Sequence, residues 1–456
     1  MSQPDRATIF ALSSGRPPAA IAVVRISGPG ARFALETMVG RVPEPRRATL
    51  ARVRNPNSSE IIDEGLVLWF PGPRSETGED MAEFQLHGGR AVISAVLAVL
   101  GSFKGFRMAE PGEFTRRAFE NGRLDLTAVE GLADLIFADT EAQRRQAFHH
   151  LRGFLGHRAE DWRRRLVEAL ALVEARIDFS DEADVPEDLV GPALEKAQKV
   201  RDEIAETLAD SRRGERLREG LVVAIAGPPN AGKSTLFNRL ARREAAIVSP
   251  VPGTTRDVLE MHLDLEGAPV TVLDTAGIRA SDDPIEQEGV ERARARAETA
   301  DLVLWVVDGS DLDEMKTESL HSFGRDRNIW LIINKIDKLT KFYELKNEQK
   351  LLFRKIIMLS ARTGVGFSEL LQLLNQEAQH YLGGKEPALI TRQRHRLALE
   401  ETLAALERAI AEGIHGREDI VAEELRMACQ ALGRLTGRVD VEDVLDVIFR
   451  DFCIGK

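Results

Sequence analysis

Residues 227–234, Gly227-Pro228-Pro229-Asn230-Ala231-Gly232-Lys233-Ser234, follow the apolar run 221–226 and lead into Thr235-Leu236-Phe237-Asn238-Arg239-Leu240. Strand, glycine-rich turn and helix in that order aim backbone N–H groups and a positive helix end at phosphate oxygens. Asn230, Ala231, Gly232, Lys233, Ser234 and Thr235 are therefore candidate phosphate contacts. Lys233 supplies a point charge near the β and γ phosphates, and Ser234 offers its hydroxyl to Mg²⁺. The spacing predicts binding of a nucleoside triphosphate.

Further segments say which base is read and where the metal sits. Asn334-Lys335-Ile336-Asp337 follows the apolar run 329–333, so its side chains emerge at a strand's carboxyl end, where open α/β sheets bind ligands. The Asp337 carboxylate only accepts hydrogen bonds, which suits the N1–H and amino group of guanine and not the acceptor N1 of adenine. Ser360-Ala361-Arg362, after the run 356–359, can add a backbone N–H to the guanine carbonyl. Asp274-Thr275-Ala276-Gly277 ends the run 270–273, which predicts a water-mediated Mg²⁺ contact at Asp274 and an N–H near the γ phosphate at Gly277. Thr254 and Thr255 are the candidates for closing over the metal.

The position after Gly277 is Ile278. Small GTPases of the Ras type place a water-orienting glutamine there, and isoleucine neither donates nor accepts. Asp282, Asp283, Glu286 and Glu288 are the downstream carboxylates that could replace it, and Arg256 and Arg279 are candidate charge stabilisers.

The elements that position these groups form a multidomain α/β and α+β chain. Its 456 residues suggest about three domains. Residues 1–118 mix strand-like runs, 21–24 and 66–70, with Pro- and Gly-bearing turns, which predicts a small α+β unit. From 119 to 215 the pattern is helical, with Trp162, Leu166, Leu170, Val173 and Ile177 forming a stripe of three- and four-residue steps. The nucleotide (G) domain, a doubly wound sheet, spans 216–380, and residues 381–456 are helical again. Neither helical piece alone makes a large core, so the two are expected to pack together, with the G domain inserted between them.

Composition narrows the class. Cys429 and Cys453 cannot build a disulfide framework, and no His/Cys spacing suggests zinc. The first residues lack a basic end followed by a long apolar core, and the apolar stretch 91–100 is too short to span a bilayer, so a cytoplasmic protein without membrane association is expected. A net charge of −11 argues against coating nucleic acid by bulk electrostatics, while leaving local basic patches for a structured RNA.

Along its whole length the chain resembles the MnmE (TrmE) family of bacterial tRNA modification GTPases. The resemblance rests on residues 22–28, 69–73, 77–80, 87–89, 107–114 and 123–126, the GTPase segments above, and the terminal Phe452-Cys453-Ile454-Gly455-Lys456. It implies a homodimer, formed through the N-terminal domain, that acts on tRNA with the FAD-dependent partner MnmG (GidA). The implied product is an aminomethyl-type group on carbon 5 of the wobble uridine, position 34, made with a one-carbon unit from 5-formyl- or 5,10-methylene-tetrahydrofolate.

Carried over residue by residue, the resemblance puts the folate site on Arg25, Glu83, Arg123 and Lys456, with arginine at 123 where lysine is usual in the family. A carboxylate suits a pterin edge and basic groups suit a glutamate tail. It brings Cys453 and Lys456 close to the folate and substrate; the tail does not fit a prenylation signal. It also makes Glu286 the water-orienting group, and it implies a K⁺ site at Asn230, Ser249, Val251 and Thr254, where the cation would act much as an arginine finger does. Hydrolysis would then be coupled to dimerisation of the G domains and to domain motion. A ribosome-assembly GTPase shares the nucleotide motifs, but would carry an RNA-binding module, often of KH type, and no folate-like N-terminal segment.

Overall fold

Apolar side chains that alternate along a strand go to opposite faces of a sheet, and those repeating at three and four residues fall on one side of a helix. Both patterns are realised here. The computed structural model describes residues 7–179, 188–242, 246–247, 260–274, 300–314, 328–339, 351–383 and 388–439, with Leu445, Ile448, Phe449, Phe452 and Gly455. The chain divides into two compact units, one of Met1–Ala133, His150–Asp202 and Ala398–Lys456, the other of Asp134–His149 and Glu203–Leu397.

The first unit opens with a six-stranded sheet in the order β3-β4-β5-β2-β1-β6. The strands are β1 (Thr8–Leu12), β2 (Ala19–Ser27), β3 (Thr49–Arg54), β4 (Ile61–Phe70), β5 (Met81–Gly88) and β6 (Phe106–Met108). Val24, Ile26, Val67, Trp69, Phe84 and Leu86 bury one face in a core shared with Leu35 and Met38 of helix Ala31–Val39 and Val96 and Leu100 of helix Arg90–Ser102. The apolar stretch 91–100 is thus a helix covering a sheet, and among the described residues no helix is long and apolar enough to cross a membrane.

Further along the same unit, helix Phe154–Asp178 packs against helix Glu418–Thr436, so the two helical stretches of sequence do meet. They run antiparallel, because Glu174 pairs with Arg426 at 2.8 Å while Arg176, one half-turn on, approaches Glu418 at 3.8 Å and Glu160 reaches Arg438 at 3.1 Å. Trp162, Leu166, Ala169 and Val173 form the buried stripe. Leu170, half-buried, and Ile177, 39% exposed, fall off it. At about 100° per residue from Trp162, Ala169 and Val173 stay within roughly 20° of it and Leu166 within about 40°, while Ile177 lies at about 60° and Leu170 at about 80°, off the stripe.

The second unit carries a seven-stranded sheet in the order β13-β12-β11-β7-β10-β9-β8. Its strands are β7 (Leu221–Ala226), β8 (Ala246–Ile247), β9 (Glu260–Leu265), β10 (Ala268–Asp274), β11 (Leu302–Asp308), β12 (Asn328–Asn334) and β13 (Lys355–Met358). The five from β13 to β10 are parallel, and β9 and β8 continue antiparallel. Leu302, Leu304 and Val306 of β11 join one core, with Leu236 and Leu240 of helix Lys233–Ala241 and Leu370 and Leu374 of helix Phe367–Leu382. Val303, Trp305 and Val307 join another on the opposite face. Near-continuous apolar strands of this kind signal a parallel sheet covered on both sides. This P-loop GTPase domain interrupts the helical domain in sequence, and a small α+β domain precedes both.

Candidate nucleotide site

Five parallel strands pointing the same way bring their carboxyl ends to one edge. β7 ends at Ala226, β10 at Asp274, β11 at Asp308 and β12 at Asn334, and the chain resumes past β13 at Ser360. The predicted nucleotide residues therefore converge although they are up to 135 positions apart, from Gly227 to Arg362.

The phosphate loop turns through left-handed backbone at Gly227 (φ 138°), Asn230 (φ 62°) and Gly232 (φ 95°), the last capping helix Lys233–Ala241. A side chain on Gly227 would overlap the Val306 carbonyl, and one on Gly232 would overlap the Asn334 amide. Both positions need glycine for space as well as for φ. The Lys233 ammonium folds over the loop and donates to the carbonyls of Gly227 and Pro228, each at 2.8 Å. Burial pulls its pKa below the ordinary lysine value, with the Asp274 charge acting the other way. Asp274 is buried; Asn230, Ser234 and Thr235 are exposed.

Asn334 ties this loop to the base-reading side. Its Nδ2 donates to the Ala231 carbonyl at 2.8 Å and its Oδ1 accepts from Ala361 N–H at 2.9 Å. The Ala361 N–H, one of the donors expected to face the guanine carbonyl, is thus engaged by Asn334. Lys335, in left-handed backbone, donates to the Asn230 carbonyl and to Asp308, both at 2.7 Å. Burial pushes the Asp308 carboxyl up, but Lys335 and the Ser310 N–H and hydroxyl outweigh it and hold the pKa below the ordinary aspartate value. At Asp337 the Ser360 hydroxyl, donating at 2.6 Å, does most to keep the exposed carboxylate ionised. An ionised acceptor at this edge is what guanine's two donors require.

Two participants were missed from the sequence. Asp308 ends an apolar strand at the same edge, a signal the other motifs share. Arg239 lies two turns into the P-loop helix and bonds the Ala361 and Arg362 carbonyls at 3.2 and 3.3 Å; nothing local in the sequence announces it. Ser249, Val251, Thr254, Thr255, Thr275, Ala276, Gly277 and Glu286 lie outside the described residues, as do Cys453 and Lys456. The other cysteine, Cys429, is a half-buried free thiol that burial pushes up to about 11, so it is a poor nucleophile.

In the α+β domain, Arg25 and Glu83 stand directly opposite on β2 and β5 and are bonded to each other, Arg25 Nε to Glu83 Oε1 at 3.1 Å. Arg25 also pairs with Glu76 at 3.0 Å. Arg123 is exposed beside Gly78, and Asn121 donates to the Thr77 carbonyl at 2.7 Å, so Arg25 and Arg123 meet the same loop, 71–80. A folate bound by Arg25 and Glu83 would have to share or replace their pairing. Beneath lies a network the sequence did not reveal: Arg117 bonds Glu79 at 2.9 Å and Glu113 at 3.0 Å, Glu113 bonds Arg107, and Glu79 accepts from Ser27 at 2.7 Å.

Comparison with known proteins bears on both units. The family model described as the MnmE helical domain matches residues 126–453, and that described as the GTP-binding protein TrmE N-terminus matches 8–123. The tRNA modification GTPase MnmE of Rhodopseudomonas palustris (strain BisB18) is 56% identical over 450 residues, covering 98% of this chain and 99% of the relative. The protein of that name from a Bradyrhizobium strain is 56% identical over 457 residues, covering 99% and 100%. Among solved structures, Aquifex aeolicus Era bound to GDP and AlF₄⁻ shares 29% identity over 40% of this chain and 66% of that one, with a TM-score of 0.27.

Proposed function

Because the chain belongs to the MnmE family of tRNA modification GTPases, we propose that it hydrolyses GTP as the switch component of wobble-uridine modification in tRNA. The observation that carries this reading is that Asn334 and Lys335 bond the phosphate loop at the same sheet edge where Ser360 bonds Asp337.

Asp337 accepts from guanine N1–H and its amino group while Ser360 steers the carboxylate. Lys233 exchanges two loop carbonyls for β and γ phosphate oxygens, whose charge favours its protonated form. Ser234, next to Lys233 in sequence, and Asp274, whose charge acts on that lysine, are hard oxygen donors suited to Mg²⁺, with Thr255 the further donor the motif implies; the ion would neutralise charge building on the phosphates. Only Asn230 of the K⁺ set (Asn230, Ser249, Val251, Thr254) is described, and its exposed side chain beside the phosphate loop suits a neutral oxygen donor. Glu286 orients the attacking water, the task that Ile278 cannot perform.

The cycle drives a domain motion in a cytoplasmic homodimer that works with the FAD protein MnmG. Arg25, Glu83, Arg123 and Lys456 hold a tetrahydrofolate that brings the one-carbon unit, with Cys453 close to the transfer. The paired charges of Arg25 and Glu83 offer both a donor fork and a carboxylate to such a ligand.

Nucleoside analysis of tRNA from cells lacking the protein tests the reading. Loss of the carbon-5 modification at position 34 is expected, and unchanged wobble uridine would remove it. GTP turnover in K⁺ against Na⁺ tests the cation separately, equal rates in the two salts excluding it.

A further inference from the structure

We propose that Arg239 is a positioning residue for guanine recognition, acting through the loop 360–366 on Asp337. The inference rests on the reading of Asp337 as the base-selecting carboxylate.

The loop closes on itself through Ser360 N–H to the Val365 carbonyl at 2.9 Å and Gly364 N–H to the Ser360 carbonyl at 2.8 Å. The carbonyls of Ala361 and Arg362, at its crest, are taken by one guanidinium nitrogen of Arg239 at 3.2 and 3.3 Å. That guanidinium lies over the Phe367 ring, 5.5 Å from its centroid, which fixes its plane. It approaches Gly364 so closely that a side chain there would overlap it. Arginine alone combines a rigid fork of donors with a face that stacks on an aromatic ring.

The consequence passes to Ser360. Its hydroxyl accepts from Thr363 N–H at 3.1 Å and donates to Asp337 Oδ1 at 2.6 Å, so the direction in which the carboxylate points depends on where the loop is held. Arg239 belongs to the helix whose first turn carries Lys233 and Ser234. The phosphate-binding helix and the base-reading loop are thereby fastened to each other directly, besides the strut that Asn334 provides.

The test uses the full chain with Arg239→Met, which keeps an apolar stem over Phe367 without donors, and Arg239→Lys, which restores charge and part of the donation. Calorimetric titration with GDP and with inosine diphosphate, which lacks the exocyclic amine, gives two affinities, and a nucleotide-free melt reports folding. GDP binding to the Met variant should weaken roughly tenfold, the GDP preference over inosine diphosphate should contract, and Lys should fall between. Equal losses for both nucleotides with a lowered nucleotide-free melt would mean packing alone and overturn the proposal, as would unchanged binding. If Met does not fold, a Lys variant with the wild-type base preference overturns it and one with a contracted preference supports it. A wild-type chain that does not distinguish the two nucleotides removes the Asp337 reading itself, and the Arg239 inference with it.

Discussion

The side-chain amide of Asn334 donates to the carbonyl of Ala231 across 2.8 Å, so the end of the base-reading strand and the phosphate loop are a single bonded piece. Asn334→Ala removes this donor and also the acceptor used by Ala361 N–H, leaving two buried main-chain groups without partners. A loss of about 1–3 kcal/mol in stability is expected for each such group, with GDP affinity falling in parallel. Urea unfolding with and without GDP measures both. Unchanged stability would show that the amide is no strut.

Gly232→Ala puts a methyl into the Asn334 amide at a φ of 95°. Steric overlap and backbone strain act together, and strain of this kind costs on the order of 1–3 kcal/mol. GTP binding should be abolished while the far-ultraviolet circular dichroism of the chain persists. Wild-type affinity in this variant would refute the tight fit.

Asp337→Asn keeps the shape of the side chain but presents an amide donor where the carboxylate only accepts. Xanthine carries a carbonyl where guanine carries its amino group, so preference should move from GTP to XTP. Loss of two hydrogen bonds to a charged acceptor corresponds to a GTP affinity lower by on the order of 10²-fold. Competition between the two triphosphates measures the shift; retained guanine selectivity would assign the base elsewhere.

In the α+β domain, burial pushes the Glu113 carboxyl up, while Arg107, the Glu110 N–H and Arg117 together outweigh it and leave the folded pKa below the ordinary glutamate value. A depressed carboxylate pKa contributes stability that is complete above the unfolded-state value and is lost as pH falls through the folded one. The melting temperature should therefore drop as acid is added below the usual glutamate range, and Glu113→Gln should flatten that slope. Arg117→Met, which takes away the guanidinium shared by the nearly buried Glu79 and Glu113 and leaves them Ser27 and Arg107, is expected to cost about 3–5 kcal/mol. A slope equally steep in Glu113→Gln would exclude this carboxylate as its source.

What the sequence made legible is the nucleotide edge, because each of its motifs directly follows an apolar run and the parallel topology does the rest. Asp274, Asn334 and Ser360 needed no knowledge of their partners to be picked out. Arg117 did: its partners include the Ala7 carbonyl, 110 positions away, and Glu79, 38 away, and no local pattern distinguishes a buried arginine from a surface one. The helix stripe shows the same boundary from another side. Periodicity identified helix Phe154–Asp178, yet small Ala169 held the inner face that larger Leu170 had been expected to share. The mutual pairing of Arg25 and Glu83 likewise depends on the β2–β5 register, which composition does not specify.

Much of the nucleotide edge is held together by main-chain atoms: the carbonyls of Asn230, Ala231, Ala361 and Arg362 and the N–H of Ala361. Every residue type except proline offers the same N–H and C=O there. Side-chain identity is accordingly free at exposed Arg362, whereas left-handed backbone constrains Asn230, burial constrains Ala231 and Ala361, and reach constrains Asn334, Lys335 and Arg239. A screen for distant kin would do better to weigh those last three side chains than the length of a matching string.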